Sequence, residues 1–454
     1  MSGNAKNSKF EKSLFVFRRD LRLEDNTGLF RALENSKTVI PIFIYDDFFL
    51  KHFKDSQFRW NFLNESLLDL NEQLKSQKTS LQIFKGNPKK IIQKIVEEHN
   101  IDSIFMNTDF SFYSKKRDME IHKLCLELKI HLSSTLDFLL HNPNEIKTNL
   151  NNPYTIYSQF YKKARIFPVR KSQRKLKNNF NREKISDFSI SVPNVESEFP
   201  GGRSNGLKIL KNLDNFKDYD KTRDYPITLT TRLSSHLRFG TVSIREAYDY
   251  ILSKLGTHHT LMGEIYWREF FNHISFHFPF ATQKSFKKKY QKISWSRSKV
   301  KFEAWCNAKT GFPIVDAGME ELNHTGFMHN RVRMIVASFL TKDLHIYWKL
   351  GEKYFAQKLV DYDPAVNSGN WQWAASTGCD SVPYFRIFNP WLQQEKFDKD
   401  CLYIKKWIPK LESLTPIVIH NLWKNFPSNL NYPKPIVDHK IEAQKSKEIF
   451  KEIK

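Results

Sequence analysis

Short apolar runs alternate with longer amphipathic stretches over residues 13–136. Leu14-Phe15-Val16-Phe17 and the run from Val39 to Tyr45 are continuous, aromatic-rich and β-branched, and of strand length, so they predict buried strands. Helical periodicity follows over 58–74, then a strand at 81–84, a helix at 88–99, a strand at 103–106 and a helix at 114–128. Strands separated by helices predict a parallel, doubly wound α/β sheet. Over 137–205 the pattern decays into Asn, Pro, Ser and charge, which predicts a long linker. From 206 to 454 strand signals nearly vanish. Amphipathic segments of helical length take over, at 243–255, 263–277, 315–322 and 329–342, and predict a larger, all-helical domain.

Composition sharpens this outline. Lys and Arg number 72 against 49 acidic residues, a net charge of +23, which points to a polyanionic partner. A basic surface serving only solubility, or an AT-rich coding bias, has the same composition. Between Lys162 and Lys184 ten basic residues face one acid, Glu183. Four scattered cysteines form no C-x-x-C pair, and Met1 to Lys12 contains no apolar leader, so the reading is an intracellular, reduced protein without structural zinc. Runs of about 18 apolar residues, which a membrane helix needs, are absent. Aromatics reach 14%, with most of the ten Trp crowded into the C-terminal half.

Several blocks carry candidate chemistry. Arg18 to Asn26 places dense charge directly after the first strand, where α/β sheets put ligands or domain contacts. It has neither G-x-G-x-x-G nor G-K-[ST], which disfavours ordinary dinucleotide or triphosphate binding; a salt-bridged interface accounts for it as well. Tyr219, Arg223 and the run Thr230-Thr231-Arg232-Leu233-Ser234 put hydroxyls and guanidinium groups ahead of a helix start, a cradle suited to a diphosphate. Ser and Thr also cap helices for structural reasons alone. Glu264, Trp267 and Arg268 share a helical face by their spacing. The densest block runs from His329, Asn330, Arg331, Arg333 and Met334 to Asp361, Asp363, Asn367, Gly369, Trp371 and Trp373.

With these residues in view, the chain over about 14–411 resembles the photolyase/cryptochrome family, and within it the class I cyclobutane pyrimidine dimer photolyases. The resemblance rests on Thr310-Gly311-Phe312-Pro313-Ile314-Val315-Asp316-Ala317-Gly318-Met319, on Trp371 to Gly378, and on Tyr384-Phe385-Arg386-Ile387-Phe388-Asn389-Pro390. It implies light-driven repair of cyclobutane dimers by electron transfer from excited reduced FAD to a flipped-out dimer. Tyr219 and Thr230, Thr231, Arg232, Leu233 and Ser234 would then grip the FAD phosphates and ribitol, with Arg268, Arg333, Asp361 and Asp363 around its ring. Asn367 falls where the family faces flavin N5.

The same resemblance implies that Trp267 and Trp373 flank the dimer and that Glu264, Asn330 and Met334 contact it. Arg331, Arg386, Gln393 and Lys396 would meet phosphates, and Trp371, Trp348 and Trp295 would form the electron chain that reduces the flavin. The family's (6-4) enzymes carry histidines where this chain has Asn330 and Met334, which favours cyclobutane dimers as substrate. The rival is a cryptochrome-type photoreceptor without repair. A more remote one, an adenine-nucleotide-binding electron-transfer protein, accounts for the α/β half alone. Residues 107–114 mark the antenna region, with methenyltetrahydrofolate preferred to 8-hydroxydeazaflavin and an empty pocket as the alternative. The implied partner is UV-damaged DNA, met by a monomer in the cytoplasm or at the nucleoid, with no metal and no membrane.

Overall fold

The computed structural model describes residues 8–53, 56–192, 198–380 and 386–453. The chain forms two compact units, each discontinuous in sequence. The first comprises Met1–Lys147, Lys162–Asn215 and Arg232–Glu269; the second comprises Thr148–Tyr161, Phe216–Thr231 and Phe270–Lys454.

The first unit is built on a five-stranded parallel sheet. Its strands are β1 (Phe10–Phe17), β2 (Ser36–Asp46), β3 (Gln82–Gly86), β4 (Ser103–Asn107) and β5 (His131–Thr135), in the order β3-β2-β1-β4-β5. Leu14, Val16, Ile40, Ile42, Ile44, Ile104 and Met106 pack on one face against Ile92, Ile95, Val96, Ile121 and Leu124 of the crossover helices. The helix Pro88–His99 agrees with the expected bounds, because Asn87 caps its first turn and Asn100 closes it in the left-handed region. The helix expected at 114–128 starts earlier, at Phe112, since the Ser111 side chain accepts the Ser114 N–H. Leu81 falls outside its expected strand, its N–H taken by the Asn71 side chain. β5 escapes the periodicity reading altogether. Its sequence is His-Leu-Ser-Ser-Thr, and as a polar, largely uncovered edge strand it has no apolar run to betray it.

In the second unit the helices Pro313–Thr325, Asn330–Ser338, Trp348–Lys358, Pro364–Ala374 and Pro390–Phe397 surround a core that includes Trp305, Phe312, Phe339, Trp348 and Trp371. Strands are absent among its described residues. The helix expected at 315–322 is longer because Pro313 opens it and Gly326, at φ 69, ends it. The one expected at 329–342 stops at Ser338 and continues as a π-helical turn, Phe339–Asp343. That turn buries Lys342 and Asp343, which a regular amphipathic helix would expose. Among the described residues no helix is long and apolar enough to cross a membrane. The four cysteines are free and buried.

Candidate cofactor and nucleic-acid site

In the second unit the geometry centres on the helix Pro364–Ala374. The Asp363 carboxylate caps it by accepting the N–H groups of Ala365 and Val366 at 3.1 and 3.4 Å, and Pro364 supplies the first helical position. Asn367, four residues in, is buried. Its amide nitrogen donates to the Glu352 carbonyl at 3.1 Å and to Glu352 Oε1 at 3.0 Å. Glu352 is itself buried and also accepts from Lys349 at 2.7 Å and Ser368 at 3.3 Å. The Asn367 carbonyl oxygen is thereby left as the polar group the amide presents elsewhere, an acceptor. A side chain at Gly369 would collide with the Phe271 ring, so that position brings the helix close to its neighbour. Arg333 pairs with Asp361 through two contacts, 3.0 and 3.3 Å, and its Nε donates to the Met328 carbonyl at 2.7 Å.

The expected electron chain lies among rings. Trp371 is buried edge-on against Phe355 at 5.0 Å and Trp305 at 6.1 Å. Trp348 is fully buried and donates to Ser285 Oγ at 3.3 Å. Trp295 does not stand alone: Tyr347 sits 5.9 Å from it and 5.7 Å from Trp348, linking the two. Reading tryptophans alone missed Tyr347 and Trp305, although Tyr347 adjoins Trp348 in the sequence.

Asn330 is exposed, and its amide reaches Met334 Sδ at 4.0 Å, as helical spacing requires. Arg331 is engaged by Asp224 at 2.5 Å and lies 4.4 Å over the Phe397 ring. Arg386 lies 5.9 Å from the Trp373 ring and also from that of Phe388. Lys396 is exposed and Gln393 half-buried, both on the helix Pro390–Phe397. Tyr219 opens the short helix Tyr219–Thr222, and Thr230 and Thr231 are half-buried. Tyr384 and Phe385 of the last signature lie outside the described residues.

The remaining candidates belong to the first unit. Arg232 adopts the left-handed conformation at φ 53, ahead of the helix Leu233–Phe239, with Phe199 under its guanidinium at 4.3 Å; Leu233 is buried and Ser234 exposed. Glu264, Trp267 and Arg268 are half-buried on the helix Thr260–His277. Arg268 donates to the Phe138 carbonyl at 2.8 Å. The arginines of the charge block after β1 are ion-paired: Arg18 meets Asp118, Arg19 meets Asp109, and Arg22 meets Asp137 at 2.5 Å, so ion pairing within this unit accounts for the block. Among the described residues no cluster of His, Cys, Asp and Glu could hold a metal ion.

Residues 13–174 match the family model described as DNA photolyase, and residues 261–452 match the FAD binding domain of DNA photolyase. The deoxyribodipyrimidine photo-lyase of a Synechococcus strain is 33% identical, over 97% of this chain and 96% of its own. This chain belongs to the DNA photolyase family. The segment holding Arg333, Asp361, Asp363 and Asn367 is the family's FAD-binding domain. Among solved structures, the archaeal photolyase from Sulfolobus tokodaii, which contains two FAD molecules, is 39% identical with a TM-score of 0.88, covering 97% of this chain and 99% of its own. The cryptochrome of Synechocystis aligns at 27% identity and a TM-score of 0.87, covering 98% of this chain and all of its own.

Proposed function

We propose that this photolyase-family chain is a deoxyribodipyrimidine photo-lyase that splits cyclobutane pyrimidine dimers in UV-damaged DNA under blue or near-UV light. The observation that carries the proposal is the Asn367 amide. Its nitrogen is committed to Glu352, so it offers its cofactor an acceptor and no proton. That suits a flavin whose N5 is protonated, the reduced form that repair requires. FAD, when bound, supplies the photo-excited electron and takes it back after the ring opens, so no net oxidation accompanies repair.

The chain's own residues do the holding. Tyr219, Thr230, Thr231, Arg232, Leu233 and Ser234 would bind the phosphates and ribitol. Arg268, Arg333, Asp361 and Asp363 would bind the ring, the Arg333–Asp361 pair keeping its charge compensated. Trp267 and Trp373 would stack on the extruded dimer, recovering part of the few kcal/mol that base flipping costs. Glu264, Asn330 and Met334 would contact the dimer as well. Arg386, Gln393, Lys396 and Arg331 would position the backbone without reading sequence; at Arg331 a phosphate must share or displace Asp224. Trp371, Trp348 and Trp295 would feed electrons inward. A chain of this kind acts as a monomer at the nucleoid or in the cytoplasm.

The test is light-dependent reversal of thymine cyclobutane dimers, followed by chromatography of the digested DNA, in light and in darkness. Repair in light alone supports the proposal. Flavin photoreduction without any repair would establish the photoreceptor alternative, and repair confined to (6-4) products would overturn the substrate assignment. For the antenna we retain methenyltetrahydrofolate, in the first unit near residues 107–114, where Tyr113 stacks on Phe48 at 3.9 Å. Mass spectrometry of the chromophores released from purified protein decides between it, a second flavin and none.

A further inference from the structure

We propose that the ribbon over residues 171–182, in the first unit, is a second DNA-binding surface that grips duplex phosphates and is blind to damage. It rests on the DNA-repair reading above and adds to it a surface that contains none of the site residues.

The ribbon is anchored by its uncharged residues. The Asp25 N–H donates to the Gln173 carbonyl at 2.6 Å, and the Val39 N–H donates to the Asn179 carbonyl at 3.0 Å. The Asn181 N–H returns to the Val39 carbonyl at 2.8 Å, and the Asn179 side chain donates to the Ser36 carbonyl at 2.7 Å. Phe180 is buried and bridges Val39 in parallel fashion, on the stretch of β2 that precedes its pairing with β3. Ser172 donates to Asp249 at 3.1 Å. What remains outward is charge. Lys171, Arg174, Lys175, Lys177 and Arg182 are all exposed, and among the described residues none has a carboxylate within ion-pair distance. The neighbouring cations differ: Arg170 pairs with Asp25 at 2.9 Å, and Lys184 approaches Asp187 at 3.8 Å. Pairing is also the habit of the unit's buried arginines, since Arg22, Arg203 and Arg245 each hold a carboxylate at 2.5–2.7 Å. What sets the ribbon apart is density: five exposed cations without a carboxylate fall within twelve residues of a fastened backbone.

Physical chemistry selects the partner. Exposed like charges repel one another, and a polyanion relieves that repulsion while releasing its condensed counterions. From 171 to 182 the chain can reach up to about 36 Å at ~3.3 Å per residue. A duplex offers a phosphate on each strand about every 3.4 Å, so several cations can be satisfied at once. The ribbon's one aromatic residue, Phe180, is buried, so no ring is offered for a base to stack on, and the exposed cations favour contact with the backbone. It also exposes no large hydrophobic side chain, which leaves a lipid surface nothing to take up.

The experiment compares the full-length wild type with a variant carrying Lys171→Gln, Arg174→Gln, Lys175→Gln, Lys177→Gln and Arg182→Gln. Affinities for intact and dimer-bearing duplexes are titrated by fluorescence anisotropy across a series of salt concentrations. The expected result is an equal loss on both DNAs, with the slope of log K against log salt falling in magnitude by about 0.9 for each cation engaged. Repair in light at saturating DNA should be unchanged. A second variant with Lys171→Arg, Lys175→Arg and Lys177→Arg should keep the wild-type slope, separating charge from folding. An unchanged slope in a glutamine variant of wild-type circular dichroism overturns the proposal. So does a change confined to vesicles of phosphatidylglycerol and phosphatidylcholine. If the slope falls while even the wild type repairs nothing in light, the ribbon stands and the repair reading fails.

Discussion

Asp137 of the first unit and Asp316 of the second are both buried, and each accepts several hydrogen bonds, yet their acidities move in opposite directions. Burial by itself would push Asp137 up. The guanidinium groups of Arg22 and Arg245, at 2.5 and 2.7 Å, outweigh it and hold the carboxyl well below the usual range. Asp316 has only neutral donors: the N–H and hydroxyl of Thr310 at 2.8 and 2.6 Å, the Gly311 N–H at 3.0 Å and the Tyr432 hydroxyl at 2.5 Å. Burial prevails there, and its pKa rises to about 6. Hydrogen bonds satisfy a buried carboxylate without restoring what it lost in leaving water; a close cation restores it. Glu269, in the first unit, follows Asp316 rather than Asp137. Burial carries it to about 7 because Arg268, at 3.5 Å, stands too far off to reverse the shift.

The comparison breaks most visibly at Arg245. Its guanidinium serves Asp25 and Asp137, each at 2.7 Å, and its removal strands charge in the interior. Arg245→Ala is expected to cost about 3–5 kcal/mol in urea denaturation followed by circular dichroism. A loss below about 1 kcal/mol would mean that water reaches the network.

Asp316→Asn turns one acceptor into a donor facing the N–H of Gly311 or of Thr310, and should cost about 1–3 kcal/mol. The pH dependence sharpens the contrast with Asp137. A raised folded pKa contributes stability that is present below the ordinary carboxylate value and lost as pH rises through about 6. The excess of wild type over Asp316→Asn should therefore shrink as pH rises from about 4 and level off above about 6. For Asp137 the sign reverses. Its contribution is present above the ordinary carboxylate pKa and is lost only as pH falls through the depressed folded value. The excess over Asp137→Asn should stay flat across the same window. Parallel slopes in the two series would remove the distinction between cationic and neutral partners.

Neutral rings and charges should part company on DNA as well. Trp267→Ala is expected to weaken binding to dimer-bearing duplex by about 1–3 kcal/mol, roughly 5- to 150-fold, with little effect on intact duplex. Equal weakening of both would remove Trp267 from the dimer pocket. The smallest effect is expected of Arg386→Ala, which should weaken both DNAs alike and lower the salt slope by about 1. A loss confined to damaged DNA would instead tie Arg386 to Trp373, the ring beside it.

What the sequence alone determined was local and periodic. The strands of the sheet interior and the helix Pro88–His99 follow from runs, caps and turn residues a few positions apart. The signatures at 310–319 and 371–378 identify the family, and the i, i+4 relation of Asn330 to Met334 needs only a helix. Distant pairings required the tertiary structure, because nothing in a linear pattern encodes which charge meets which. Asp224 engages Arg331 from 107 positions away, and Arg245 reaches Asp137 across 108. Tyr347 joins Trp295 to Trp348 only because the chain brings position 295 beside 347. β5 became a strand because β4 offered it an edge, and Lys342 went inside because the Ala375 carbonyl was there at 2.9 Å to receive it. In each case the deciding partner lies far along the chain, so the free energy it contributes exists only once the chain has folded.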